Sequence, residues 1–209
     1  MTPARAAFIT LEGIDGAGKT THLGAITAWI ERLGKPLLRT REPGGTPLGE
    51  RLRELVLRHE MRPDTEALLM FAARSEHVQT VILPALAAGH WVLSDRFSDA
   101  SVAYQGGGRE LGVARVEALE TWTHPGLRPD LTLLFDLDPA LAAGRLDQGR
   151  QDRDRFELEQ LGFFERVRSA YLARAQAEPD RFCVLDAARP QDDVWRQIEA
   201  ALQSLAARA

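Results

Sequence analysis

Ala7-Phe-Ile-Thr-Leu-Glu-Gly-Ile-Asp-Gly-Ala-Gly-Lys-Thr-Thr21 is the stretch that decides the fold. Its first residues, Ala7–Leu11, are apolar enough for a buried strand, and Lys19–Leu33 carries a helical pattern. Between them, Gly13, Ile14, Asp15, Gly16, Ala17, Gly18, Lys19, Thr20 and Thr21 fit G-x-x-x-x-G-K-S/T, the phosphate-binding P-loop. Glycines let backbone N–H groups converge on phosphate oxygens. The helix N-terminus adds partial positive charge. Lys19 can reach the outer phosphates, and the Thr20 hydroxyl can hold Mg²⁺. A chance match in a turn would lack the preceding strand and the following helix. The motif therefore predicts a bound nucleoside triphosphate and leaves open the fate of its third phosphate.

Outward from this run, strand and helix patterns alternate, which predicts an α/β fold with a mainly parallel sheet. The strand candidates are Ala7–Leu11, Pro36–Thr40, Trp91–Ser94, Leu131–Leu137 and Phe182–Leu185. Helices are expected over Lys19–Leu33, Leu48–Arg58, Thr65–Ala88, Arg115–Thr123, Ala140–Leu146, Glu157–Ala177 and Asp192–Ala207. Pro84 is expected to kink or end the long Thr65–Ala88 segment, and Asp64 to cap its start. With 209 residues and no linker, the chain reads as one domain with a small lid. A net charge of −4 gives no basic field for nucleic acid or an anionic membrane. The single cysteine, Cys183, allows no internal disulfide and suits a reducing compartment; as a strand residue it reads as a small core hydrophobe. No apolar run has membrane length and no signal-peptide core precedes the first strand, so the expected location is cytoplasmic.

In an open parallel sheet, ligands bind at the carboxyl ends of the strands. Here those ends lead into the P-loop, Arg41-Glu-Pro-Gly-Gly-Thr46, Asp95-Arg-Phe-Ser98, Asp136-Leu-Asp138 and Asp186-Ala-Ala-Arg189. Asp95 stands where a P-loop protein places a carboxylate for Mg²⁺, directly or through water; otherwise it is a turn former. Arg96 beside it favours the functional reading, because Arg suits bidentate phosphate recognition. The Arg41–Thr46 loop and Tyr104-Gln-Gly-Gly-Gly-Arg109 read either as plain glycine turns or as loops that approach a ligand. Arg74 does not fit a core position on its helix and takes a surface or a ligand role. Gly144–Arg155 is dense in charge: a solvated turn, or a lid whose arginines close over the transferring phosphoryl group.

Taken in order, Leu11–Thr21, Thr40–Thr46, Phe71-Ala-Ala-Arg74, Asp95-Arg-Phe97, Ala103-Tyr-Gln-Gly106 and Arg128–Leu133 closely resemble the thymidylate kinase family over nearly the whole chain. The resemblance implies a P-loop NTPase-type five-stranded parallel sheet flanked by helices, a short lid at about 144–156, and usually a homodimer. It implies transfer of the γ-phosphoryl of ATP to dTMP, with Mg²⁺, giving dTDP and ADP. By resemblance, Gly13–Thr21 and Arg145 bind ATP, Arg145 stacking on adenine, while Thr20 and Asp95 serve the metal. Asp15 lies on the sugar and phosphate side of dTMP, and Glu42 helps order the metal or the acceptor phosphate. Arg53 and Arg96 surround the dTMP phosphate, Arg74 donates to thymine O4, and Ser101 and Gln105 stand near the base edge. Tyr104 packs on the sugar. The family usually places a base-stacking Phe four residues before the Arg; here Met70 holds that position and Phe71 follows, so either covers the thymine face.

Lys19, Arg96, Asp15 and lid arginines make up the implied catalytic set. Gly16 and Ala17 leave the P-loop without a second cation, so the chain is similar to the bacterial type that carries it on the lid. Arg150 aligns best, with Arg153 and Arg155 as close alternatives. Two other readings stand beside this one. The first is a kinase for another nucleoside or nucleoside monophosphate. The second is a GTP-dependent switch, against which count the lack of N-K-x-D and of D-x-x-G after the P-loop.

Overall fold

The computed structural model describes residues 6–146, 154–157 and 159–208. Five strands form one sheet: β1 (Phe8–Glu12), β2 (Leu37–Arg41), β3 (Trp91–Asp95), β4 (Leu131–Asp136) and β5 (Phe182–Asp186). Their order is β2-β3-β1-β4-β5, and every pairing is parallel. Each expected strand is present with ends shifted by at most a residue or so. β1 is buried at every position, as a central strand covered on both faces must be. The edge strands β2 and β5 are half-exposed.

Successive side chains leave β1 on opposite faces. Phe8 packs with Val92, Val78, Ile82 and Phe97 on one side. Ile9 and Leu11 join Leu93, Leu133, Ile26 and Ile30 in the larger core on the other. Helices α1 (Lys19–Arg32), α2 (Pro47–Arg58), α3 (Pro63–His77), α4 (Leu83–Ala87), α5 (Ser98–Ser101), α6 (Val113–Thr123), α7 (Pro139–Leu146), α8 (Leu161–Ala177) and α9 (Gln191–Ala206) flank the sheet.

Four local expectations are corrected. Arg62, not Asp64, holds the N-cap position of α3, because Pro63 takes the first helical position with its φ already set. Asp64 sits in the first turn and accepts from Thr65 N–H at 3.1 Å. Pro84 does not end the long segment. A π-helical turn, Val78–Ile82, absorbs it: Leu83 N–H donates five residues back to Val78 O, and the path continues to Ala87. The glycines after Tyr104 are not in a loop, since α5 runs on into a second π-helical turn, Val102–Gly108. They are small so that α8 can lie on the backbone. A Cβ on Gly107 would stand 2.7 Å from Ala170 Cβ, and one on Gly108 2.6 Å from Phe163 Cε2. Finally, α8 starts at Leu161 rather than Glu157. Ahead of it Asp154 Oδ1 accepts from Phe156 and Glu157 N–H at 2.9 and 3.1 Å and holds a turn.

Candidate active site

The P-loop joins the end of β1 to the start of α1. Gly13 has φ +134°, and a Cβ there would meet Phe135 O at 2.5 Å, so no side chain fits. The first turn of α1 has neither a side-chain cap nor an acidic residue, so no side chain competes with an anion for its N–H groups. A cavity of about 690 Å³ opens over this turn, lined by Gly16–Thr21, Asp95 and Arg145 among others. Lys19 is buried against the loop, its Nζ donating to Gly13 O at 2.8 Å and Ile14 O at 3.1 Å. Burial, reinforced by the nearby Arg96 charge, pushes its ammonium down to about 8 against the pull of Asp15, Asp95 and Glu12. Ile14 contributes that carbonyl to the loop, while its side chain is in the core.

Thr20 and Asp95 line the same cavity. Asp95 Oδ1 is buried with no hydrogen-bond partner among the described residues. One hydroxyl and one free carboxylate oxygen suit Mg²⁺, which keeps waters and phosphate oxygens for most of its shell. Among the described residues there is no cluster of three His, Cys, Asp or Glu that would hold a metal unaided.

Arg96 ties the loop to the helices behind it. Its φ is +69°, a left-handed conformation that costs a residue with a Cβ about 1 kcal/mol or more. That geometry delivers Nη1 to Gly13 O (2.9 Å) and Tyr171 Oη (3.2 Å), and Nη2 to Asp15 Oδ1 (2.6 Å) and Tyr104 Oη (3.1 Å). Burial works against ionising Asp15, but Arg96 and Lys19 outweigh it and hold the carboxyl below its usual range. Below this layer Glu12 is fully buried, accepting from Phe97 N–H and Tyr171 O–H, both at 2.7 Å. Burial and the neighbouring Asp99 push it up to about 8, although Arg96 opposes them.

A second, narrow cavity of about 90 Å³ adjoins the first. Asp15, Glu42, Arg53, Arg96 and Asp154 face both. Met70, Tyr104, Gln105 and Phe156 line only the inner one. Arg53 Nη1 donates to Pro43 O at 3.0 Å, which holds it at the junction. Arg74 lies one helical turn beyond Met70 and is almost fully buried. Its guanidinium donates to Glu42 Oε2 (2.7 Å), Phe97 O (3.1 Å) and Ser101 Oγ (3.0 Å), and stacks on the Phe71 ring at 4.5 Å. Nη1 alone has no partner among the described residues. Glu42 Oε1 also receives His77 Nδ1 at 2.9 Å, so both its oxygens are engaged. Burial opposes its charge, but Arg74 and His77 hold it below the usual range.

Of the two residues that could cover a base, Met70 faces the inner cavity. Phe71 is buried with Val102 and Val116 beneath Arg74. Ser101 stands behind the cavity as an acceptor for Arg74. Tyr104 presents its ring to Arg96 at 4.9 Å and its hydroxyl to Asp15 Oδ2 at 3.3 Å. Arg145 Nη2 donates to Ala187 O at 3.0 Å on the far side of the larger cavity. Arg150 and Arg153 lie outside the described residues. Arg155 is turned away from the P-loop, donating to Val56 O (3.1 Å) and Glu66 Oε2 (2.5 Å).

Sequence reasoning passed over Glu12, Glu66, Arg109 and Tyr171. The signal was present for the acids, since a carboxylate inside an apolar strand or on a helix's buried side needs a partner. The partners themselves lie up to 159 residues away.

The family model described as Thymidylate kinase matches residues 11–198. A thymidylate kinase of Bordetella pertussis is 56% identical over 209 residues, covering all of both chains. One of Ralstonia nicotianae is 58% identical over 202 residues, 95% of this chain and 98% of its own length. One of Thiobacillus denitrificans is 58% identical over 198 residues, 95% of this chain and 97% of its own. With a P-loop under one cavity, a buried Arg and Gln beside the next, and matches of this length and identity, the chain belongs to the thymidylate kinase family.

Proposed function

We propose that this chain transfers the γ-phosphoryl of ATP to dTMP, giving dTDP and ADP for dTTP synthesis. One observation carries the choice of acceptor. Beside the inner cavity stand two buried polar atoms without partners among the described residues, a donor, Arg74 Nη1, and an acceptor, Gln105 Oε1. Thymine offers the complement, an O4 acceptor next to an N3–H donor. Cytosine offers the reverse, and a site built around fixed polar groups rejects it strongly.

ATP occupies the larger cavity with its phosphates on the Gly13–Thr21 amides and its adenine toward Arg145. Lys19 leaves its loop carbonyls to follow the moving phosphoryl group. Thr20 and Asp95 would hold Mg²⁺, which would supply positive charge against the phosphates during transfer. Arg53 and Arg96 hold the acceptor phosphate at the junction of the cavities. Asp15 aims Arg96 and borders the sugar, and Tyr104 packs on it. Met70 covers the base. Arg150 and Arg153, from a lid at about 144–156, supply the cation that the P-loop lacks. The chain works as one domain in the cytoplasm and as a homodimer. In support, no described helix is long and apolar enough to cross a membrane. Leu48, Leu55, Leu68 and Trp122 are exposed on α2, α3 and α6, which pack in that sequence.

ADP release measured against dTMP, dUMP, dCMP, dAMP and dGMP tests the assignment. dTMP should give the highest kcat/KM; a preference for another acceptor, or GTP hydrolysis without one, overturns it.

A further inference from the structure

Gln105 is fully buried, and a side-chain amide in such a place can face either way. What fixes it is Glu66, a fully buried carboxylate on α3. Glu66 Oε1 accepts from Gln105 Nε2 at 2.7 Å and Arg109 Nε at 3.5 Å. Oε2 accepts from Arg109 Nε at 3.2 Å and Arg155 Nη2 at 2.5 Å. Flanked by two guanidinium groups, which only donate, Glu66 is an acceptor on every side. Only the NH₂ end of Gln105 can meet it. The Oε1 end is then left without a partner among the described residues, on a side chain that lines the inner cavity.

We propose that Glu66 is a positioning residue: it locks the Gln105 amide with Oε1 toward the acceptor nucleotide, so that the pocket selects a base bearing a ring N–H there. Glu66 touches no substrate and acts through Gln105. The inference rests on the dTMP reading above. Without Glu66 the amide is free to turn and present NH₂, which suits a ring nitrogen that accepts. The hydrogen-bonding pattern that the pocket offers the base is thus set one residue behind the one that reads it.

The test compares dTMP with 5-methyl-dCMP, which has the same methyl, sugar and phosphate but reverses donor and acceptor at both the 4-position and N3. kcat/KM for each is measured at saturating MgATP in the wild type, Glu66→Gln and Glu66→Asp, with thermal melts to establish folding. The wild type should prefer dTMP. In Glu66→Gln the preference should narrow by about tenfold or more, because one of two reversed hydrogen bonds can now be made. The KM for ATP should stay within about twofold, since the change touches only the acceptor side. A purely structural role would lower both acceptors by the same factor, and that result, or an unchanged ratio, overturns the proposal. Should Glu66→Gln fail to fold, Glu66→Asp keeps the charge between the two arginines while drawing it back from Gln105. Its ratio must then narrow by about threefold, and an unchanged ratio is equally fatal. A wild type with no preference for dTMP would instead defeat the functional reading itself.

Discussion

Arg74→Ala should damage the protein in two separable ways. The guanidinium is 1% exposed and is the charged partner of the buried Glu42 carboxylate, which His77 Nδ1 also meets at 2.9 Å. Removing one member of a buried pair leaves an uncompensated charge, at a cost of about 3–5 kcal/mol. For a chain of this size each kcal/mol lowers Tm by roughly 2–4 °C, so a drop of roughly 6–20 °C is expected. The double variant Arg74→Ala/Glu42→Ala should recover part of that loss, because no lone charge remains. The second effect is on binding. Losing a charged donor to the base costs about 1.5–3 kcal/mol, roughly ten- to a hundred-fold in kcat/KM for dTMP. Arg74 lines neither cavity but sits one turn from Met70, which lines only the inner one, so the KM for ATP should hold. Thermal denaturation and steady-state kinetics below the lowered Tm separate the two. An unmoved Tm would refute the buried-pair argument. A parallel rise in both KM values in folded protein would refute the placement of Arg74 beside the acceptor.

Gly107→Ala should cost about 1–3 kcal/mol, since the new Cβ would press on Ala170 Cβ and the Arg166 carbonyl of α8; an unchanged Tm would show that α8 can give way. Arg150→Ala should lower kcat by about 10²-fold with KM values little changed, as for a contact made in the transition state. If Arg153→Ala has that effect instead, the wrong lid residue has been chosen. Glu12 gives a pH dependence. Its folded value, near 8, lies above the ordinary 4.5, so the folded state binds its proton more tightly. The contribution to stability is therefore fully present below about pH 4.5 and is lost as pH rises toward 8. Glu12→Gln cannot ionise, so its Tm should fall less between pH 5.5 and 8, the difference growing by on the order of 1 kcal/mol per pH unit. Parallel melting profiles would refute it.

Much of the frame could be read directly because its signals are local. The P-loop glycines, the apolar runs of β1 and β4 and the turn residues between them act over a few neighbours. What escaped depends on distant packing. Three glycines after Tyr104 look like a flexible loop until Ala170 and Phe163 are known to lie against them. Pro84 looks like a helix end until a wider turn absorbs it. Met70 and Phe71 differ by one position, which on a helix is a rotation of about 100°, enough to send one side chain to the cavity and the other to the core. Pattern alone does not say which. Of the site, the residues in motifs were legible one by one, whereas the Glu66–Gln105 and Glu12–Tyr171 pairs join residues 39 and 159 apart.

The strand order carries a consequence for how the protein comes into being. β1 lies at the centre of the sheet, yet Phe8 pairs with Val92 and Ile9 with Leu131. During synthesis, residues 8–12 therefore leave the ribosome long before either flanking strand exists. Until Asp95 has emerged, the first strand has no edge to join and Arg96 is not yet there to brace Gly13 and Asp15. The phosphate loop is translated first and assembled late. Closing such long loops is slow, so a nascent chain stalled short of β4 should be sensitive to proteases and blind to ATP.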